Sequence, residues 1–246
     1  YNIAVDASGL ATTADSFAAL EQRVEKEKIW DWDTVYQAVQ SDFAGTEGER
    51  IRLALWHGPR YGYGGSLGDA WADRLSQGFT KAIASRRTPK GVLMIPGLFS
   101  WANTVMFGEM VGATPNGRHA RAPISHGANP NPGFRQDGAV TALSAAVARV
   151  QPGYGNTAPL QLEFDPQLKP GKEAVDVIEN LIRTHFVLGG TLININILDG
   201  EKLMAANKNP ALYPDLVVRV TGFTAYFATL SPKFRQLVVD RFLYGV

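Results

Sequence analysis

Cysteine is absent from the 246 residues. That excludes a disulfide, a thiolate metal site and a thiol nucleophile contributed by the chain itself. Long hydrophobic runs are also missing. The longest, Phe186 to Leu198, is interrupted by Gly189, Gly190, Asn194 and Asn196 and is too short to cross a bilayer as a helix. Charge of one sign is scarce: the formal net charge is +1, and no block of like charges creates a local field, so nucleic acid is excluded as an expected partner. Tyr1 to Leu10 lacks a basic region followed by an apolar core, which leaves no secretory signal there and points to a cytoplasmic location. The sequence starts at Tyr1 rather than methionine, as a processed subunit or a fragment does. What it has in quantity is apolar: 45% hydrophobic against 19% charged residues, enough to bury the core of one large globular domain or two small ones.

Helical periodicity is clear over Ala14 to Lys28, with Phe17, Leu20 and Val24 behind the capping candidates Thr13 and Asp15. Helices over Asp31 to Phe43 and Glu47 to Trp56 follow, then a Gly/Tyr-rich loop from Gly58 to Gly68 and a helix near Asp69 to Ser85. Gly91 to Pro96 reads as a short buried strand. Gly112 to Gly138 is rich in Gly, Pro and Asn and long for a plain connection, which marks it as a functional or interface loop. Beyond it the element types alternate: helix Ala139 to Val150, strand Leu160 to Phe164, helix Lys172 to Leu188, strand Thr191 to Leu198, helix Glu201 to Asn207, strand Leu216 to Val220 and helix Pro232 to Leu243. Alternation of this kind predicts an α/β fold with parallel pairing.

Few residues carry obvious chemistry. The glycines of Gly62 to Gly68 can either present amides to an anion or make a tight turn, but the loop lacks the lysine and hydroxyl of a P-loop. His57, His119, His126 and His185 never fall at i, i+4, so no metal site is expected; His119 and His126 read as polar loop residues. No nucleophile elbow surrounds a serine. Glu47 and Glu49 sit at a helix start, where acidic residues complement the dipole. Asn194 and Asn196 share one face of an apolar strand and need hydrogen-bond partners, either pinning a neighbouring loop or lining a site.

Gly222 follows a β-branched strand within Leu-Val-Val-Arg-Val-Thr-Gly-Phe-Thr-Ala-Tyr-Phe, residues 216–227. A glycine there ordinarily marks positive φ or a close backbone approach. Its α-carbon also suits an unpaired electron: with no side chain it can flatten and share spin with both neighbouring amides. Such a centre needs shielding from oxidants, and Val218, Val220, Phe223, Tyr226 and Phe227 are the expected apolar walls.

The surrounding pattern resembles the radical loop of the glycyl radical enzymes: Arg219, Val220, a small residue at Thr221, Gly222, an aromatic at Phe223 and then Phe227. Upstream, Ala14 to Leu20 resembles the family's Ala-Asp-Ser-Leu-Ala-Ala-Ile helix, and Phe43 to Glu47 its Asn-Phe-Glu-Gly segment. Pro59 to Gly62 resembles its Pro-Lys-Tyr-Gly-Asn loop, with Tyr63 where Asn is usual. Gly112 to Arg118 resembles its Gly-Ala-Thr-Pro-Asp-Gly-Arg run, followed by a similar stretch over Pro123 to Pro130. Gly189 to Asn196 matches the Gly-Gly strand that ends on a family asparagine.

The resemblance covers nearly the whole chain and implies the C-terminal portion of such an enzyme, with residues 200–246 as the glycyl radical domain. The implied fold is the second half of a ten-stranded α/β barrel with surrounding helices, completed by a partner chain. It implies that Gly222 stores an organic radical, installed by an activating enzyme using S-adenosylmethionine and an iron–sulfur cluster, and that no cofactor is bound in this chain. Arg219, Val220, Thr221, Phe223 and Phe227 would support the radical loop; the resemblance places Asn196 on the family asparagine, and Asn196 and Asn194 stay candidates for lining the site as well as for pinning a loop. The missing cysteine implies a glycine-bearing subunit of a split anaerobic lyase, inactive without a polypeptide that supplies the thiyl cysteine and most of the pocket for a small-molecule substrate. Thr224 to Phe227 resembles the dehydratase, decarboxylase and C–N or C–S lyase branch more than pyruvate formate-lyase. Two alternatives stand beside this: a subunit of a fumarate-adding radical synthase, and a non-catalytic spare part that repairs an oxygen-cleaved enzyme.

Overall fold

The computed structural model describes residues 2–99, 103–132, 140–151, 158–166 and 171–244. Strand β1 (Asn2–Asp6) leads into helix α1 (Leu10–Leu20), which continues as a π-helical stretch over Glu21–Lys26. Helices α2 (Trp32–Gln40), α3 (Gly45–Trp56) and α4 (Leu67–Ala84) follow, then β2 (Leu93–Gly97), α5 (Thr104–Glu109) and α6 (Val140–Val150). The remaining elements are β3 (Leu160–Phe164), α7 (Lys172–Val187), β4 (Ile193–Ile197), α8 (Gly200–Lys208), β5 (Val217–Arg219), β6 (Thr224–Tyr226) and α9 (Pro232–Tyr244).

The α/β class holds. β1 pairs parallel with β2, and β3 parallel with β4 across the α7 crossover, in the register Gln161↔Asn194 and Glu163↔Asn196. The described strands form three two-stranded sheets. β1 itself has no counterpart among the predicted elements. β2 is half-exposed, with Leu93 at the surface and only Pro96 and Gly97 buried, whereas a buried strand was expected. The third sheet differs in kind: β5 turns straight back into β6 as an antiparallel pair. Four residues separate the two strands, and a parallel return would need a crossover of roughly a dozen or more.

Helix α1 starts four residues earlier than its periodicity suggested, behind Gly9 in the left-handed region (φ 86°). The expected caps Thr13 and Asp15 therefore lie inside the helix. Asp15 is drawn into the interior instead, where its carboxylate accepts from Arg60 at 3.1 Å, the Tyr61 N–H at 2.8 Å and Asn131 Nδ2 at 2.9 Å. A buried carboxylate needs such donors, and Arg60 supplies the opposite charge.

The central core joins Leu10 and Ala14 of α1 to Tyr61, Val147 of α6, and Leu160 and Leu162 of β3. A second cluster, Leu198, Leu203, Leu216, Val218, Val220, Phe227, Val238 and Val239, packs the β5–β6 hairpin against α8 and α9. The irregular stretch after α5 is organised by Arg118, whose guanidinium donates to the carbonyls of Val111, Gly112, His119 and Ala122. Residues 133–138 of the predicted long loop lie outside the described residues. No helix among those described is long and apolar enough to cross a membrane.

Candidate functional site

The β5–β6 hairpin forms because Val217, Val218 and Val220 favour extended backbone and alternate in facing: Val218 and Val220 are buried and Val217 is exposed. At its tip the Val220 N–H donates to the Phe223 carbonyl at 3.0 Å. Thr221 is buried and Gly222 is exposed. The φ of Gly222 lies outside the left-handed region. Among the described residues, a Cβ built on it would meet only Phe99, at 3.4 Å from Cζ and 4.0 Å from Cε2, which is ordinary van der Waals contact. Gly222 thus serves neither reason a turn usually has for glycine, positive φ or close backbone approach.

The expected apolar walls divide. Val218, Val220 and Phe227 belong to the cluster beneath the hairpin, with Phe227 fully buried and its N–H donating to the Leu216 carbonyl at 2.7 Å. Phe223 (45% exposed) and Tyr226 (54%) face outward. Five side chains that follow one another in a hairpin cannot enclose its tip, because the strand period sends alternate residues to opposite faces. Shielding of Gly222 is therefore not completed by the described part of this chain.

A buried polar network holds the hairpin from below. Asn196 on β4 accepts from the Arg219 N–H at 2.9 Å and donates to the Arg219 carbonyl at 3.0 Å, and its Nδ2 also reaches Glu163 Oε1 at 3.0 Å. Arg241 on α9 donates from Nε to Glu163 Oε1 at 2.6 Å, from Nη1 to the Val220 carbonyl at 2.6 Å and from Nη2 to the Arg219 carbonyl at 2.7 Å. The Glu163 and Arg241 side chains are 1% and 5% exposed. Glu163 Oε2 has no hydrogen-bond partner among the described residues. Asn194 shares the face of Asn196 but is only partly buried, and its side chain makes no hydrogen bond among the described residues. The Arg219 side chain crosses the hairpin to Thr224 Oγ1 at 3.2 Å.

Sequence reasoning missed Glu163, Arg241 and Phe99. A signal for the first two existed: an acid between Leu162 and Phe164 of a predicted strand demands a buried cation, and Arg241 stands in the last helix beside Val238, Val239 and Phe242. Beside Arg241 a cavity of about 100 Å³ is bounded by His126, Asn129, Leu143, Gln161 and Leu237. Burial, and then the nearby Arg241 charge, push the pKa of His126 down to about 3, so its imidazole is neutral.

The other candidate residues do not converge on the hairpin. His119 pairs with Asp42 at the surface, and His185 is enclosed between Ser144 and Gln151. Among the described residues no three His, Asp or Glu side chains are grouped to hold a metal. In the glycine loop the anion is internal: the Asp69 carboxylate accepts from the amides of Gly62, Gly65 and Ser66, and Ser66 Oγ completes a capping box for α4. The tight-turn reading is the one the loop adopts.

Two family models match in succession, the pyruvate formate lyase-like model over residues 1–108 and the glycine radical model over residues 124–228. The chain is 29% identical to trans-4-hydroxy-L-proline dehydratase of Clostridioides difficile over 95% of its own length and 29% of that protein. It is 30% identical to isethionate sulfite-lyase of Desulfovibrio desulfuricans, over 95% of this chain and 28% of that one. The structure of the B12-independent glycerol dehydratase from Clostridium butyricum superposes with a TM-score of 0.87 at 27% identity, covering 96% of this chain and 30% of that one. The chain thus spans less than a third of the length of these relatives. With both family models matched in order and the likeness running through the whole chain, this protein belongs to the glycyl radical enzymes.

Proposed function

We propose that this chain is the glycine-bearing part of an anaerobic radical lyase, and that Gly222 stores the radical. The observation that carries the reading is the conformation of Gly222. Its φ and surroundings would accept a side chain, so its identity is better accounted for by α-carbon chemistry than by the turn. The glycine radical match spans this position, and the relatives' names include dehydratases and sulfite-lyases beside a formate acetyltransferase, which favours cleavage of a C–O or C–S bond over acyl transfer. Arg219, Val220, Thr221, Phe223 and Phe227 shape the loop. The first C–H bond to break is at the Gly222 α-carbon, whose hydrogen atom goes to an S-adenosylmethionine-dependent activating enzyme. The glycyl radical then takes the hydrogen of a thiol, restoring the C–H bond and leaving a thiyl radical to attack substrate. No residue of this chain supplies that thiol. It comes from a cysteine-bearing polypeptide that completes the barrel, covers the exposed tip and contributes most of the pocket.

Anaerobic activation of the chain together with its cysteine-bearing partner should produce a glycine-centred doublet by electron paramagnetic resonance, absent in Gly222→Ala. Air should then cut the backbone at Gly222 and release a short C-terminal peptide visible by intact mass. A correctly assembled wild-type complex with no doublet would show that radical storage is wrong.

A further inference from the structure

We infer that Arg241 is a positioning residue for the Gly222 tip: paired with Glu163, it sets where β5 ends and the tip begins. The link to radical storage rests on the function proposed above, whereas the positioning itself rests on geometry alone. Successive carbonyls of a regular strand point to opposite edges. One guanidinium therefore cannot donate to two neighbouring carbonyls unless the backbone leaves the strand between them. Arg241 does hold two, those of Arg219 and Val220, and β5 ends at Arg219.

The aim of the guanidinium is fixed from the other side. Its Nε is tied to Glu163, which stands on β3, and Asn196 on β4 grips both backbone groups of Arg219 while sharing the same Glu163 oxygen. A hairpin of two three-residue strands does not hold its own shape. Burial of Val218, Val220 and Phe227 gives it attraction without direction, because the hydrophobic effect is non-directional. Direction comes from the planar fork of the arginine, which fixes the angle between two consecutive peptide planes just before Thr221 and Gly222. A radical on Gly222 would be shared with the next two planes, 221–222 and 222–223, and the direction in which the chain enters them is set by the plane held at the Val220 carbonyl.

The test is site-resolved amide hydrogen exchange on the intact chain with Arg241→Lys, which keeps a cation beside Glu163 and removes the fork. The amides of Arg219 and Val220 should exchange at least about tenfold faster than in wild type, while the hydrogen-bonded amides of Leu160 and Gln161 on β3 stay unchanged. Equal acceleration at all four sites would mean a merely structural role, and no acceleration at Arg219 and Val220 would overturn the inference outright. Should Arg241→Lys fail to fold, Glu163→Gln is read by the same comparison, because it keeps the oxygen that Asn196 Nδ2 and Arg241 Nε share while removing the charge that strengthens the hold on the guanidinium. The measurement is made with both hydrogens on Gly222, so a missing radical signal in wild type counts against radical storage and leaves this result standing.

Discussion

Replacing Gly222 by alanine separates a glycine kept for chemistry from one kept for shape. Among the described residues an alanine Cβ at 222 touches only the Phe99 ring edge, at 3.4 Å, and the backbone there is outside the left-handed region, so neither a clash with them nor φ strain opposes it. The lost freedom of the unfolded chain favours alanine by about 0.4–1 kcal/mol. Gly222→Ala should therefore unfold within about 1 kcal/mol of wild type, in either direction. Gly190→Ala is the contrast. There a Cβ would lie 2.1 Å from His185 Nε2 and 2.2 Å from Cδ2, and that ring is fully buried between Ser144 and Gln151, each at 2.9 Å. Moving the ring leaves buried polar groups unsatisfied at about 1–3 kcal/mol each, and overpacking adds about 1–3 kcal/mol. A loss of at least about 3 kcal/mol follows for Gly190→Ala. Urea unfolding followed by circular dichroism, with the three proteins in one buffer, measures the difference. A loss above about 2 kcal/mol in Gly222→Ala would show that the fold itself demands this glycine, and the chemical reason for it would lose its support.

Two further outcomes follow from the buried groups. His126 stays neutral in the fold down to about pH 3, whereas the unfolded chain takes up its proton below about pH 6.5. Its contribution is thus fully present above pH 6.5 and is lost as pH falls towards 3, at about 1.4 kcal/mol per unit, or about 2 kcal/mol by pH 5. His126→Gln should flatten the stability-versus-pH curve between pH 5 and 7 relative to wild type; parallel curves would contradict the assignment. Asp69→Ala should cost about 1–3 kcal/mol by stranding the amides of Gly62, Gly65 and Ser66. Millimolar sulfate should recover part of that loss in the variant and do nothing for wild type, as thermal melts would show.

Much of the element order could be read directly from pattern. The strands at Leu160–Phe164 and Ile193–Ile197 alternate apolar and polar residues on either side of a long amphipathic helix, and local periodicity is enough to specify a parallel unit. Where the reading departed from the structure, a distant partner had intervened. Asp15 looked like a helix cap until Arg60 and Asn131 drew it inward. β1 is too short and too exposed to announce itself without β2 beside it. The hairpin return after Gly222 was hidden because Thr224–Tyr226 is three residues long and carries no strand pattern of its own.

By itself the sequence determined the family resemblance, the position of Gly222 after a β-branched strand and the absence of a thiol, because each is a property of consecutive residues or of composition. Only the tertiary structure decided how that glycine is held. Glu163 and Arg241 stand 78 positions apart, and Asn196 lies 23 residues from the backbone it grips. Nothing local couples residues so far apart. They meet because burying the apolar faces of β3, β4 and α9 leaves one acid and one arginine inside, where the acid is satisfied by Arg241 and Asn196, and the arginine by the acid and the carbonyls of the hairpin.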